Sequence, residues 1–259
     1  MWEIILLSIL GIVYSVSNDF DWATGNTTVL LSGAAYCDSS TYLTNGYNYI
    51  YTDTFEPTYQ IYNKHYDVNG FIGYRISDQS IYVVFRGTQS TKDWIDDFKI
   101  NKVDYRTPSC QVHKGFYEAE QSVIDEVTKE VERLHDVYPS YRIVVTGHSL
   151  GAALATLAAI DLIESGFESQ LFNFGCPRIF DDNCAGYASD TIVNRARVTH
   201  YKDIVPHVPP PIMGYTHISG EWYEDENGKI KSCEGFEDED CADQWINTNA
   251  DDHMWYLGY

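Results

Sequence analysis

Residues 142–162 read RIVVTGHSLGAALATLAAIDL, and this stretch decides the fold. Ile143, Val144, Val145 and Thr146 form a short apolar, β-branched run, the pattern of a buried strand. From Leu150 to Ile160 nearly every residue is apolar and helix-favouring, which predicts a buried helix. A strand passing directly into a helix leaves a very tight turn, and Gly147 and Gly151 remove the β-carbons that would collide there. Ser149 sits between them. Its hydroxyl is lifted above the sheet at a helix N-terminus, where unpaired N–H groups and the helix dipole favour developing negative charge. A G-x-S-x-G pattern in this strand–turn–helix context predicts a nucleophilic serine.

Working outward, the next strands are expected at FIGYRIS (71–77) and IYVVFRGT (81–88) upstream. Downstream they are expected at LFNFG (171–175), RARVTHY (195–201) and HISGEWYE (217–224). TTVLLSGAAYC (27–37) begins a helical N-terminal region. Residues 110–140 predict one long amphipathic helix, with Val123, Val127, Val131 and Leu134 at helical spacing and Pro139 ending it. Strands alternating with helices imply an α/β fold, a mostly parallel sheet covered on both faces.

In such a sheet, reactive residues collect at the carboxyl ends of the strands. A serine hydroxyl is a poor nucleophile without a base, and the base needs an acid to hold its tautomer. Asp203 directly follows RARVTHY and precedes the proline-rich IVPHVPPP (204–211), which keeps it at a fixed strand end. Among the histidines, His148 is expected to point away from Ser149, and His207 is too close to Asp203 in sequence to fold back onto it. His217 and His253 remain. His217 lies at or beside a strand, where a packed core histidine is the ordinary reading, whereas His253 lies on a terminal loop able to reach over the sheet edge. Ser149, Asp203 and His253 follow the chain order of an α/β-hydrolase.

At 259 residues and 44% hydrophobic, with 21 Tyr and 11 Phe, the chain can build one sizeable core. Residues 1–17 read as a signal peptide cleaved near Ser15 or Ser17, although Glu3 replaces the usual basic residue. Residues 18–259 then form one domain. A secreted protein, or one in the lumen of a secretory or digestive compartment, is expected. The net charge of -21 excludes nucleic acid as a partner and disfavours anionic bilayers. The acidic runs EWYEDENGK (221–229) and CEGFEDEDCADQW (233–245) read as solvated loops, with no EF-hand spacing for calcium. Six cysteines suit an oxidising compartment. Spacing suggests Cys233–Cys241 and Cys176–Cys184, which leaves Cys37 with Cys110, one of about 15 possible pairings. Asn26-Thr27-Thr28 is a glycosylation sequon.

Taken together, VVFRGTQSTKDWIDDF (83–98), VHKGF (112–116), residues 138–162, FGCPR (174–178), DIVPHVPP (203–210) and DHMWYLGY (252–259) resemble the filamentous-fungal type of class 3 lipase. The resemblance runs from about Leu30 to the C-terminus and extends to feruloyl esterases on the same scaffold. It implies a catalytic triad of Ser149, Asp203 and His253, and an oxyanion hole from the backbone N–H groups of Thr88 and Leu150, helped by the Thr88 hydroxyl. It also makes STKDWIDDFKINK (90–102) a lid. As an amphipathic helix the lid would carry Trp94, Ile95 and Phe98 on one face and Lys92, Asp93, Asp96 and Asp97 on the other. The cysteine pattern departs from the family's except for a counterpart of Cys233 and Cys241, and the lid is more charged than strongly interfacial lipases show. The resemblance implies a serine ester hydrolase acting on neutral acylglycerols at an oil–water interface. It requires no cofactor and no metal, makes no stable membrane insertion, and is expected to be a monomer. A feruloyl esterase or phospholipase with the same triad, and a catalytically silent lipid-binding protein, are the rival readings.

Overall fold

The computed structural model describes residues 19–38, 55–96 and 99–259. The predicted signal peptide, and Asp97 and Phe98 of the predicted lid, lie outside the described residues.

The stretch that opens the reading folds as expected. Strand β6 (Arg142–His148) runs into helix α5 (Leu150–Glu164), which is apolar all round from Gly151 to Ile160 apart from Thr156 because it is buried all round there. Alanines on α5 let it approach the sheet closely. A β-carbon on Gly147 would stand 2.3 Å from the Gly151 carbonyl oxygen, and one on Gly151 would stand 2.3 Å from that of Phe85. The two glycines are there because backbones touch.

The sheet has eight strands in the order β1-β2-β3-β6-β7-β8-β9-β10. These are β1 (Phe55–Asn63), β2 (Val68–Arg75), β3 (Ser80–Phe85), β6, β7 (Ser169–Phe174), β8 (Arg195–His200), β9 (Glu221–Glu224) and β10 (Ile230–Ser232). β3, β6, β7, β8 and β9 pair in parallel, and the flanking strands pair antiparallel. β3 shows why its sequence is continuously apolar: Ile81, Val83 and Phe85 pack on one face, Tyr82 and Val84 on the other. The first face is covered by α3 (Lys114–Gln121), α4 (Ile124–Val137), α5 and α6 (Asp182–Thr191). The second is covered by α1 (Trp22–Ala34) and by Phe20, Tyr256 and Leu257. A hairpin of β4 (Lys102–Tyr105) and β5 (Thr107–His113) stands apart, next to the short helix α2 (Thr91–Asp96).

Four expectations are corrected. The single long helix over 110–140 is a strand, β5, followed by two helices. Val123 breaks the run at φ -135, and the Ser122 hydroxyl turns back to the Ala119 carbonyl at 2.6 Å. The cysteines pair as Cys110–Cys184 and Cys233–Cys241, so Cys176–Cys184 and Cys37–Cys110 do not form. Cys184, near the N-terminus of α6, faces β5, whereas Cys176 is a buried thiol donating to the Pro177 carbonyl at 3.3 Å and Cys37 is exposed. The acidic runs are only partly solvated. Glu221 is buried against Arg197 at 2.9 Å, and Glu237 holds the buried Arg178 at 2.8 Å. Of HISGEWYE, only residues 221–224 are strand. Asn26, of the sequon, lies within α1, where the Thr28 hydroxyl is buried and donates to the Thr24 carbonyl at 2.8 Å.

Candidate active site

At the end of β6 the chain reverses through Ser149, which adopts φ 60 and ψ -129. A non-glycine residue there stores on the order of 1–3 kcal/mol of strain, held by the surrounding structure. The Ser149 N–H donates to the Phe174 carbonyl at 3.0 Å, and its carbonyl accepts from the Ala152 N–H at 2.9 Å. The side chain is left free of the backbone. Ser149 is fully buried, and its Oγ has no hydrogen-bond partner among the described residues.

The residue that holds the acid is set by the loop after β8. Asp203 pairs as an isolated bridge with Asn249, which brings the C-terminal segment across the strand ends. Its Oδ1 accepts from the Val205 N–H at 2.8 Å. Its Oδ2 accepts from His253 Nδ1 at 2.7 Å and from the Tyr256 hydroxyl. Burial alone would push the Asp203 carboxyl up, but His253 and the bonds from His253, Tyr256 and Val205 outweigh it and hold the group below the usual carboxylate range. The carboxylate fixes the His253 tautomer with the proton on Nδ1. His253 Nε2 is then left as an acceptor, buried and without a partner among the described residues.

Ser149, Asp203 and His253 are therefore brought to one end of the sheet. Gly175, one residue beyond the Phe174 carbonyl that binds Ser149, has φ +58, and a β-carbon there would lie 2.8 Å from His253 Cε1. Thr88 belongs to the same end. A β-carbon on the preceding Gly87 would stand 2.9 Å from Ser149 Cβ, and Thr88 Oγ1 is a further buried hydroxyl without a partner among the described residues. Leu150 is the first residue of α5, so its N–H has no acceptor within the helix. Ser149 Oγ, His253 Nε2 and Thr88 Oγ1 are thus three buried polar atoms with no partner among the described residues.

Thr88 and Leu150 line the end of a cleft of about 500 Å³, whose apolar wall includes Trp94, Phe116 and Ala119. Trp94 of α2 is half-buried and stacks on Phe116 with ring centroids 6.2 Å apart. Ile95 is half-buried and Asp93 exposed. His113, in the cleft wall, accepts from the Phe116 N–H at 3.2 Å and donates through Nε2 to the Lys99 carbonyl. Burial brings its pKa down to about 4.

His217 behaves as a core histidine. It is buried, its Nε2 bonds the Pro206 carbonyl at 2.8 Å, and burial together with Arg197 holds its pKa well below the ordinary value. Sequence reasoning missed Tyr256, Tyr36 and the place of His148. Tyr256 stands three residues after His253, and that proximity was the available signal. The His148 ring lies against the His253 ring, centroids 4.2 Å apart. Among the described residues the one cluster with metal-ligand geometry is Cys233, Asp238 and Cys241, and both of its sulfurs are tied in a disulfide.

A parallel sheet with helices on both faces and a serine on a strained strand-to-helix turn defines an α/β-hydrolase. The family model for class 3 lipases matches residues 82–213. The chain is 36% identical over 203 residues to a lipase of Rhizomucor miehei, covering 74% of this chain and 56% of that protein. It is 34% identical over 188 residues to a secreted mono- and diacylglycerol lipase of Fusarium solani, covering 69% and 56%. The solved triacylglyceride lipase of Rhizomucor miehei superposes with a TM-score of 0.81 at 31% identity, over 91% of this chain and 92% of that one. A solved triacylglycerol lipase structure, whose catalytic centre is described as a serine protease triad, superposes with a TM-score of 0.82 at 31% identity, over 91% of this chain and 94% of that one. The chain belongs to the class 3 lipase family. It spans about half the length of the relatives it matches in sequence, 56% and 51% of the first two. No helix among the described residues is long and apolar enough to cross a membrane.

Proposed function

We propose that the protein is a secreted carboxylic ester hydrolase that cleaves acylglycerols through an acyl-enzyme. The observation that carries this reading is the pair of buried atoms Ser149 Oγ and His253 Nε2, neither with a partner among the described residues, with Asp203 fixing the imidazole on its far side. Ser149 Oγ attacks the ester carbonyl carbon while His253 Nε2 takes its proton. The oxyanion of the tetrahedral intermediate is met by the N–H groups of Thr88 and Leu150 and by the Thr88 hydroxyl, donors worth roughly 3 to 4 kcal/mol each in such sites. His253 then protonates the departing alcohol, the C–O bond breaks, and water deprotonated by His253 releases the fatty acid. Asp203 stays ionised throughout and stabilises the imidazolium.

Substrate choice follows from the cleft. Its apolar wall of Trp94, Phe116 and Ala119 begins at the oxyanion residues, where an acyl chain would lie. Ser149 and His253 have no exposed surface, so turnover requires a covering element to move, and α2 with Trp94 and Ile95 is that element in this reading. An apolar helix face that leaves its cleft is stabilised at a lipid surface rather than in water. Two disulfides, together with relatives named as secreted, support an extracellular setting.

The test compares hydrolysis of emulsified triolein, diolein, a soluble short-chain ester, a feruloyl ester and phosphatidylcholine by wild type and Ser149→Ala. The account expects the oleoylglycerols to be cleaved, with a rise in rate above the solubility limit, and expects Ser149→Ala to abolish it. Turnover confined to the feruloyl ester or phospholipid would replace the substrate assignment. Unchanged activity in Ser149→Ala would refute the mechanism.

A further inference from the structure

His148 takes no part in the chemistry above, yet it is half-buried, titratable and in contact with the base. Its Nε2 is 2.8 Å from the backbone carbonyl of His253. A carbonyl only accepts, so His148 Nε2 carries the proton. Nδ1 is then a lone pair, and the Tyr36 hydroxyl donates to it at 2.8 Å. A β-carbon on Gly87 would stand 2.2 Å from the same hydroxyl, so the Thr88 loop packs directly against it. One imidazole therefore joins the serine turn, the base segment, the loop that carries Thr88 and the exit of α1.

We propose that His148 is a positioning residue: a neutral imidazole, locked as the Nε2–H tautomer by Tyr36, that holds His253 by its carbonyl and by its ring face. This rests on the functional reading of Ser149 and His253 given above. The His253 N–H reaches the Ala250 carbonyl at 3.3 Å in a single turn, and the adjoining Asp252 carbonyl accepts from His200 Nδ1 at 2.9 Å, so His148 is the side chain that holds the His253 carbonyl itself. Asp203 orients the ring; His148 fixes the segment from which the ring projects. The stacking adds an electrostatic requirement. His253 becomes an imidazolium during the reaction, and a second positive ring 4.2 Å away would oppose that step. Burial, then the neighbouring His253, bring the His148 pKa down to about 3, so the ring stays neutral. The titratable groups facing it are Tyr36, His253, Asp203 and Tyr256, whose ring lies 5.7 Å away. Burial raises the Tyr36 pKa, so that hydroxyl keeps the proton it donates.

The test has two independent readouts. First, His148→Phe, His148→Gln and Tyr36→Phe are assayed on a soluble p-nitrophenyl ester, with kcat counted per active site titrated by a fluorophosphonate. His148→Phe is expected to lower kcat about 10- to 100-fold with KM nearly unchanged, the effect of a misplaced catalytic group. His148→Gln, whose amide N–H can reach the His253 carbonyl, is expected to restore most of that loss, and Tyr36→Phe to fall between. A folded His148→Phe protein with wild-type kcat per site would overturn the proposal. Second, imidazole nitrogen NMR on Ser149→Ala is expected to show His148 neutral with its proton on Nε2 from about pH 5 to 8. A proton on Nδ1, or protonation within that range, would overturn the proposal whether or not any ester is cleaved. A wild type that cleaves no ester defeats the functional reading instead, and the spectrum then decides the positioning claim alone.

Discussion

Glutamine in place of Glu120 should make the protein more stable in mild alkali and leave it unchanged in acid. Glu120 lies on α3 and is fully buried; Oε2 accepts from Gln121 Nε2 at 2.9 Å, and Oε1 has no partner among the described residues. Burial dominates and pushes its carboxyl from 4.5 to about 7, against the smaller help of Gln121 and Arg106. Because the folded value is raised, the native state keeps the proton longer than the unfolded chain does. The contribution to stability is intact below about pH 4.5 and is lost as pH rises through about 7. At 1.36 kcal/mol per pKa unit, ionising Glu120 in place costs about 3 kcal/mol by pH 8. Glutamine has nearly the same shape and never ionises. Urea unfolding with the disulfides intact, at about pH 5 and pH 8, reads the difference, and comparing the two proteins at each pH cancels the other titrating groups. Glu120→Gln should unfold at a midpoint on the order of 1 M higher than wild type at pH 8, and within about 0.3 M at pH 5. An equal difference at both pH values would refute the reasoning.

Asp203→Asn should keep the fold and lower kcat on a soluble ester by about 10⁴-fold, because the amide no longer holds the His253 proton on Nδ1. Gly175→Ala should destabilise by at least 1–2 kcal/mol, from the left-handed backbone at φ +58, and lower kcat by about 100-fold as the new methyl meets His253 Cε1; thermal unfolding and ester kinetics check both. Alkylation of the native protein should label Cys37 and spare Cys176, with Cys176 reacting only after unfolding, and a non-reducing peptide map should join Cys110 to Cys184.

The legible features were those whose physics is local. The β6–α5 turn could be read because a β-branched run, two glycines and an alanine-rich run lie within one short stretch, and each acts on its immediate neighbours. Asp203 and His253 followed from a strand end and a terminal loop, positions that the parallel sheet makes equivalent. Long-range partners were not legible. Thr107–His113 is a strand because β4 supplies its hydrogen bonds, and its last four residues, Cys110–His113, are too short a run to show a strand period by themselves. Cys184 pairs with Cys110 across 74 residues because α6 packs on β5, a contact that spacing does not encode. Tyr36 reaches His148 across 112 residues, so its tie to the site exists only once α1 covers the second face of the sheet.

The central claim is that the strained turn after β6 presents a hydroxyl activated by an imidazole from the C-terminal segment. Labelling the intact protein with a fluorophosphonate, followed by mass spectrometry of the modified peptide, addresses it directly. One adduct is expected, on Ser149, formed far more slowly when His253 is replaced by alanine. An adduct on any other residue, or labelling of Ser149 at the same rate without His253, would contradict it.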